Sequence, residues 1–203
     1  MKGYLTLQKA AQAEIIIKKS RFITSASPVS DEKEANNFIK QIKKEHNQAT
    51  HNVFAYVINE QIQRFSDDGE PGGTAGRPVL EVINQKGLIK TALVITRYFG
   101  GVMLGAGGLV RAYSEAAVKG IDAAGVVEKL LHRELRITMD YQWLGVVKRE
   151  VESAGGRQPD IIYDQKVNMK VYLQPAAAQA LSKRLIDLTA AQIVIEEGGF
   201  SYI

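Results

Sequence analysis

The sequence predicts an α+β protein with two domains, and three observations lead to this prediction. Apolar residues recur at strand spacing in some segments of the 203-residue chain and at helix spacing in others. The last part of the chain gives the order β-α-β-β-α-β, which is the ferredoxin-like arrangement. A helix that ends at Gly125 precedes this part, without a Pro- or Ser-rich linker. We therefore predict a β-α domain at 1–126 and a ferredoxin-like domain at 127–203.

Apolar spacing and turn residues define the elements of the N-terminal domain. Its predicted strands cover residues 12–18, 21–27, 53–59, 61–65 and 91–98. Its first helix begins at Ser30, whose hydroxyl can cap the backbone N–H groups, and the acidic Asp31 and Glu32 suit the positive end of the helix dipole. Two further helices are predicted at 79–85 and 109–124.

The C-terminal domain alternates strands with two amphipathic helices. Its predicted strands cover residues 129–139, 158–163 and 166–173, and a last strand starts at 193. A helix is predicted at 141–154, where Gly155 and Gly156 stop it, and a second begins at Pro175. Each helix has one apolar stripe, so each can cover one face of a sheet.

Composition excludes several classes of protein. The chain has no cysteine, which rules out disulfides, cysteine-based zinc and iron–sulfur sites, and thiol nucleophiles. No apolar run approaches the ~20 residues of a membrane span, and the N-terminus lacks the apolar core of a secretion signal, so we expect a cytoplasmic protein.

Residues 1–127 hold 16 Lys and Arg against 12 Asp and Glu, a net charge of +4, and residues 128–203 hold ten of each. This excess permits contact with a polyanion.

The first unusual segment is a long glycine-rich loop at 66–78. It is longer than most connections, and its glycines allow backbone N–H groups to approach a ligand. Its three acidic residues could bind a cation or pair with Arg77 or Arg97. This candidate functional loop includes Asp67, Asp68, Glu70, Gly72, Gly73, Thr74 and Gly76.

The second unusual segment joins a buried strand to a helix through glycines. Such a loop favours anions, because free N–H donors and the helix dipole point at the same place. Arginines that flank it suit bidentate phosphate contacts. The lysine and the serine or threonine of a nucleotide-binding P-loop are missing. The predicted anion- or nucleic-acid-binding residues are Arg77, Arg97, Gly100, Gly101, Gly105, Gly107, Gly108 and Arg111.

No catalytic constellation is recognisable in the sequence. His46 and His51 lie five residues apart without a third ligand nearby, so we predict no metal site there. The serine-nucleophile motif G-x-S-x-G does not occur. We therefore expect a non-enzymatic protein without a cofactor.

Two long motifs resemble one family. They are DDGEPGGTAGRP at Asp67–Pro78 and RYFGGVMLGAGGLVRAYSEA at Arg97–Ala116. Both look like signature blocks of the Impact family, in its bacterial YigZ/YvyE branch, and the resemblance covers the whole chain.

The resemblance carries expectations for fold and function. It implies an N-terminal domain similar to a small-subunit ribosomal protein domain and to domain IV of elongation factor G. It also implies a C-terminal domain similar to domain V of that factor. Eukaryotic relatives regulate translation under starvation stress and use an additional N-terminal domain to do so, so their protein partner is not carried over to this sequence. The family therefore indicates translation regulation and a partner in the translation machinery.

Three functional hypotheses follow. The first is a translation-associated regulator that binds RNA or the ribosome through the N-terminal domain. The second is a phosphate- or nucleotide-binding enzyme that uses the loop Gly101–Gly108, with Mg²⁺ on Asp67, Asp68 or Glu70. The third is a protein-interaction module.

Under the first hypothesis, Arg97→Ala and Arg111→Ala should weaken RNA binding and leave thermal stability nearly unchanged. The identity of the RNA and the oligomeric state stay open.

Overall fold

The computed structural model describes residues 3–203, which form a mixed α/β fold of the predicted α+β class. The chain divides into two compact units, Tyr4–Glu128 and Lys129–Ile203. This division lies two residues after the position expected from the sequence. Within the described residues, no helix is long and apolar enough to cross a bilayer.

The N-terminal unit is built on a five-stranded antiparallel sheet with the order β2-β3-β6-β4-β5. Its elements in chain order are β1 (Tyr4–Leu7), β2 (Ala11–Ile17), β3 (Ser20–Pro28), α1 (Glu32–Glu45), β4 (His51–Val57), β5 (Gln63–Ser66), α2 (Gly76–Gln85), β6 (Thr91–Tyr98), α3 (Ala106–Ala124) and β7 (Val126–Lys129). The central strand β6 pairs with β3 on one side and with β4 on the other.

Helices cover both faces of this sheet. Successive side chains of a strand point to opposite faces, so Val94 and Ile95 of β6 enter different cores. Ile95 packs with α2 and α3 in the larger core, whereas Val94 packs with α1 in the smaller one. Both residues are fully buried, which explains the nearly continuous apolar sequence of β6. The two layers of helices leave the ends of the strands free to carry loops.

The C-terminal unit forms a four-stranded antiparallel sheet with the order β11-β8-β10-β9. Its elements are β8 (Leu131–Met139), a short 3-10 helix (Tyr141–Trp143), α4 (Leu144–Ser153), β9 (Arg157–Tyr163), β10 (Val167–Leu173), α5 (Pro175–Leu188) and β11 (Val194–Tyr202). This is the β-α-β-β-α-β order predicted from the sequence. One core joins the sheet to both helices and includes Leu135, Val147, Val171, Leu181 and Leu185.

Three details differ from the sequence prediction. The first helix is capped by Asp31 rather than Ser30, because the Asp31 carboxylate accepts a hydrogen bond from the Glu34 N–H at 2.8 Å. Helix α2 begins at Gly76 rather than at residue 79. The strand β1 was not predicted, and it pairs with β7 in a separate two-stranded sheet. A four-residue strand has too short a pattern to be recognised by alternation.

Candidate functional site

The C-terminal end of β6 carries a buried ion pair. Arg97 is 5% exposed and Glu70 is 7% exposed. The Arg97 Nη1 donates to Glu70 Oε1 at 2.7 Å, and the Tyr113 hydroxyl donates to the same oxygen at 2.7 Å. The loop 67–75, strand β6 and helix α3 therefore meet at one carboxylate. Each of the two signature motifs supplies a charged member of this pair.

Aromatic rings and a serine complete the surroundings of Arg97. Its guanidinium lies over the rings of Phe22 and Phe99, at 5.4 and 5.5 Å from their centroids. Its Nη2 donates to Ser20 Oγ at 3.3 Å, while its Nε is buried and lacks a partner among the described residues. Burial and the hydrogen bond to Glu70 raise the pKa of the Tyr113 hydroxyl far above its usual value. Tyr113 is therefore a neutral donor at physiological pH.

The other two acids of the loop have structural partners. The Asp67 carboxylate accepts hydrogen bonds from the N–H groups of Gly73, Ala75 and Gly76, so it occupies the N-terminus of α2. These bonds explain why α2 begins at Gly76, before the position predicted from the apolar pattern. The loop thus supplies the anion for its own helix.

Asp68 attaches the loop to α1 and β4. Its carboxylate lies 2.6 Å from Lys43 Nζ and accepts a hydrogen bond from the Asn52 N–H at 2.7 Å. Burial opposes ionisation of Asp68, but these two contacts outweigh it, and the pKa of the carboxyl group is lowered. The three acids therefore have separate partners, an arrangement that does not favour a shared Mg²⁺ ion. Within residues 3–203, no three His, Asp or Glu side chains are placed to hold a metal.

His51 stands at the start of β4 with one nitrogen fixed. Its Nδ1 lies 2.8 Å from the carbonyl oxygen of Asp68. A carbonyl oxygen only accepts, so Nδ1 carries a proton, and in the neutral ring Nε2 is the acceptor. The Nε2 atom lies 3.8 Å from Glu70 Oε2.

A cleft of about 560 Å³ opens beside these groups. Its walls are mostly apolar, and its lining includes Phe99, Met103, Leu104 and Leu109 together with Glu70, His51 and Arg97. Met103 is 83% exposed and Phe99 is 49% exposed. The cleft is therefore mainly apolar and partly open, with a few polar side chains in its lining, a composition typical of ligand pockets.

The glycine-rich segment 99–108 leads from β6 into α3. Gly100 packs so closely on the Lys19 backbone that a Cβ atom would lie 2.0 Å from the Lys19 carbonyl carbon. Gly105 has a φ of +72° at the N-cap of α3, a conformation that strains other residues. The first intrahelical bond of α3 runs from the Leu109 N–H to the Gly105 carbonyl. The N–H groups that precede Leu109 in the first turn of α3 have no partner within the helix, and among the described residues no side chain caps them.

Arg111 lies beside this uncapped turn. Its Nη1 is 3.8 Å from the position that a Cβ atom on Gly107 would occupy. Arg111 is exposed, and within residues 3–203 it forms no ion pair. A cation that forms no ion pair within that range and the positive end of a 19-residue helix are therefore placed together.

The structure gives the predicted arginines different surroundings. Arg111 is on the surface as expected, and Arg77 is also exposed, where it pairs with Glu81 one turn along α2. Arg97 is buried and bound by Glu70, so it is not a surface contact for phosphate. The predicted alternative in which a loop acid pairs with Arg97 is confirmed for Glu70. We therefore treat Arg97 as a positioning residue.

Sequence reasoning missed two members of the site. Tyr113 is not singled out from the sequence, although its hydroxyl on an apolar helical stripe is an available signal, because a buried hydroxyl needs a partner. His51 was considered only as a metal ligand, and nothing in its local sequence indicated Glu70. His46 lies elsewhere, with its Nδ1 at 2.9 Å from the Tyr98 hydroxyl.

Comparison with known proteins places these motifs in a family. The family model for the Impact N-terminal domain matches residues 18–121, and a model for a domain of unknown function (DUF1949) matches residues 137–192. The chain is 44% identical to the IMPACT family member YvyE of Bacillus subtilis (strain 168), covering 99% of this chain and 94% of that protein. It is 32% identical to the IMPACT family member YigZ of Escherichia coli (strain K12), over 87% of this chain and 89% of that protein.

A solved structure extends the similarity to the fold. It is described as the crystal structure of an hypothetical protein, with a TM-score of 0.64 and 30% identity over 96% of this chain and 97% of that chain. The resemblance that the two motifs indicated is thus confirmed by family models and by relatives of nearly the same length. The chain belongs to the IMPACT family.

Proposed function

We propose that this protein is a non-enzymatic, translation-associated regulator that binds RNA or the ribosome through its N-terminal unit. Membership of the IMPACT family supports the link with translation. The chain is also 35% identical over 94 residues to the Protein IMPACT homolog of Dictyostelium discoideum, a match that covers 43% of this chain and 27% of that protein. The contact surface in this proposal is the first turn of α3 with the loop that precedes it.

One observation carries the proposal. The Arg111 guanidinium lies beside free backbone N–H groups at the start of α3, where glycines leave the backbone uncovered. Helix N-termini of this kind bind phosphate through their N–H groups and dipole, and a neighbouring arginine adds a charged donor. The N-terminus of α2 offers no such place, because Asp67 already occupies it.

The wider surface agrees with an RNA ligand. The whole positive excess of the chain lies in residues 1–127. The half-exposed ring of Phe99 is available for base stacking, which single-stranded RNA uses widely. Together, hydrogen-bond donors that can bind phosphate and an aromatic ring that can stack on a base favour RNA over a ligand that is only anionic.

Fold likeness gives secondary support to the proposal. The strand order of the C-terminal sheet fits a ferredoxin-like domain. We propose the similarity of this domain to domain V of elongation factor G, as the family resemblance implies. For the N-terminal unit we propose the similarity to domain IV and to the ribosomal protein domain. Likeness of this kind raises the expectation of a ribosomal target without defining a site.

The catalytic alternative receives less support. A magnesium-dependent enzyme would need the loop acids to face one metal ion, whereas Asp67, Asp68 and Glu70 each contact different groups. His51 and Glu70 lie close together, but no nucleophile with an activating base stands beside them in the described residues. Binding without chemistry is therefore the proposal that the geometry supports best.

Substitution of Arg111 tests the surface. We expect Arg111→Ala to weaken binding of a mixed-sequence single-stranded RNA by about tenfold, because one charged hydrogen bond to phosphate is lost. The slope of log affinity against log salt concentration should fall by about one. Fluorescence anisotropy of labelled RNA, recorded over a series of salt concentrations, measures both quantities.

The matched control is Arg149→Ala, an exposed arginine on a helix of the C-terminal unit. Both variants remove one positive charge, and both should keep the stability of the parent within about 0.5 kcal/mol. Equal losses of RNA affinity in the two variants would show that only the net charge matters and would reject the proposed binding surface on α3. An RNA that binds to neither the parent nor the variants would reject the function, and a protein partner would then be the better explanation for Phe99 and Met103.

A further inference from the structure

When His51 is neutral, two hydrogen-bond acceptors lie 3.8 Å apart on residues that line the apolar cleft. Glu70 Oε1 accepts from Arg97 and Tyr113, whereas Oε2 accepts no hydrogen bond from any residue between 3 and 203. The His51 Nε2 is 3.8 Å from Oε2, and with Nδ1 bound to a carbonyl it is an acceptor in the neutral ring. Both atoms belong to residues that line the cleft. A ligand with two adjacent donors would satisfy both acceptors at once.

Charge in the cleft restricts the ligand further. Arg97 already neutralises Glu70, so a cationic ligand would meet an ion pair whose charge is balanced. An anionic ligand would meet the free oxygen of the Glu70 carboxylate. The remaining walls are apolar and include Phe99, Leu104 and Leu109. These contacts favour a neutral, flat, largely apolar group that carries N–H donors on one edge.

We propose that the cleft binds an unpaired guanine base of RNA. This inference rests on the proposed RNA-binding function and names the base that is recognised. Guanine is neutral and planar, and its N1–H and exocyclic N2 amino group are adjacent donors on one edge. The other RNA bases place a single donor group on that edge. The exocyclic amino group of guanine would bond to His51 Nε2 and its N1–H to Glu70 Oε2, while the ring packs against Phe99.

The cleft and the phosphate surface share one wall. Gly105 and Ala106 line the cleft and also begin helix α3. A nucleotide with its base in the cleft would therefore have its phosphate near the first turn of α3, where Arg111 lies. Base recognition and backbone binding use neighbouring groups of the same element.

Replacement of one base tests the inference in the unmodified protein. The probes are uridine-rich single-stranded RNAs that differ only at one central position, which is guanosine, inosine or adenosine. Inosine keeps the N1–H of guanosine but lacks the exocyclic amino group. We expect the guanosine RNA to bind about 5- to 100-fold more tightly than the inosine RNA, as measured by fluorescence anisotropy at one salt concentration.

Two histidine variants test whether the preference for guanosine depends on His51. His51→Phe keeps a ring of similar size and removes the Nε2 acceptor, so the affinity for the guanosine RNA should fall to that of the inosine RNA. His46→Phe is the control, because His46 contacts Tyr98 and does not line the cleft. It should retain the preference for guanosine.

The outcomes separate this inference from the proposed function. RNA binding with equal affinity for all three probes would overturn the guanine site and leave the RNA-binding function intact. If no RNA binds, guanosine monophosphate is tested alone by calorimetry. Its binding would support the base site and reject the RNA function, and its failure to bind would reject both.

Discussion

Arg97→Ala is expected to lower the free energy of unfolding of the N-terminal unit by about 3–5 kcal/mol. The substitution leaves the Glu70 carboxylate buried with only the Tyr113 hydroxyl as a close donor. An uncompensated charge in an apolar interior is among the costliest consequences of a single substitution. Hydrogen exchange of the β6 amides measures this stability, because those amides report the N-terminal unit by itself.

This expectation replaces the one drawn from the sequence, in which Arg97→Ala left stability nearly unchanged. The control is Arg77→Ala, which removes an exposed arginine paired with Glu81 and should cost about 0.5 kcal/mol or less. A triple variant, Arg97→Met with Glu70→Leu and Tyr113→Phe, removes all members of the network together and should be more stable than Arg97→Ala. A loss below about 1 kcal/mol in Arg97→Ala would contradict the role assigned to the ion pair.

Phe22→Ala is expected to cost about 3–5 kcal/mol, the range for a large aromatic side chain in a core. Phe22 is completely buried, and its ring meets Tyr113 edge to face with the centroids 5.2 Å apart. The same ring lies under the Arg97 guanidinium. The variant therefore removes both core volume and the support of the ion pair.

Phe65→Ala is the matched control for Phe22→Ala. Phe65 lies on the edge strand β5 and is 44% exposed, so its truncation should change stability by well under half as much. The same hydrogen-exchange experiment compares the two variants. Equal losses of stability in the two variants would mean that Phe22 is not a central residue of the larger core of the N-terminal unit.

Much of the fold could be predicted from the sequence because its elements follow clear periodic patterns. Strand β6 was predicted at residues 91–98 and is observed there, since its unbroken apolar run is typical of a strand covered on both faces. The start of α2 could not be predicted, because it depends on hydrogen bonds that backbone N–H groups donate to Asp67, nine residues before Gly76. Such a contact has no signature in the local apolar pattern.

The candidate site was predictable only in part. Glycine density located the two loops, and in the second loop the approach of Gly100 to the Lys19 backbone and the positive φ of Gly105 give physical reasons for two of the glycines. The sequence did not reveal that Arg97 faces inward. That orientation follows from the alternation along β6, which places Arg97 on the same face as Ile95, and from Glu70, which lies 27 residues earlier. Contacts between such distant residues are set by tertiary packing.

The two glycine-rich loops have contrasting roles. The first supplies Asp67, Asp68 and Glu70 to contacts within the N-terminal unit, and its glycines allow those contacts. The second leaves the start of α3 open and exposes Phe99 and Met103. The first loop therefore stabilises the site, and the second presents the surface that we propose for RNA or the ribosome.

Sedimentation of the protein with purified ribosomes through sucrose, at low and at moderate salt, tests the central claim most directly. Binding through phosphate contacts releases counterions, so we predict co-sedimentation at low salt that decreases steeply as the salt concentration rises. Arg111→Ala should reduce the bound fraction at every salt concentration, whereas Arg149→Ala should not. Protein that stays at the top of the gradient at both salt concentrations would contradict a ribosomal target, and equal binding of parent and Arg111→Ala would contradict the surface on α3.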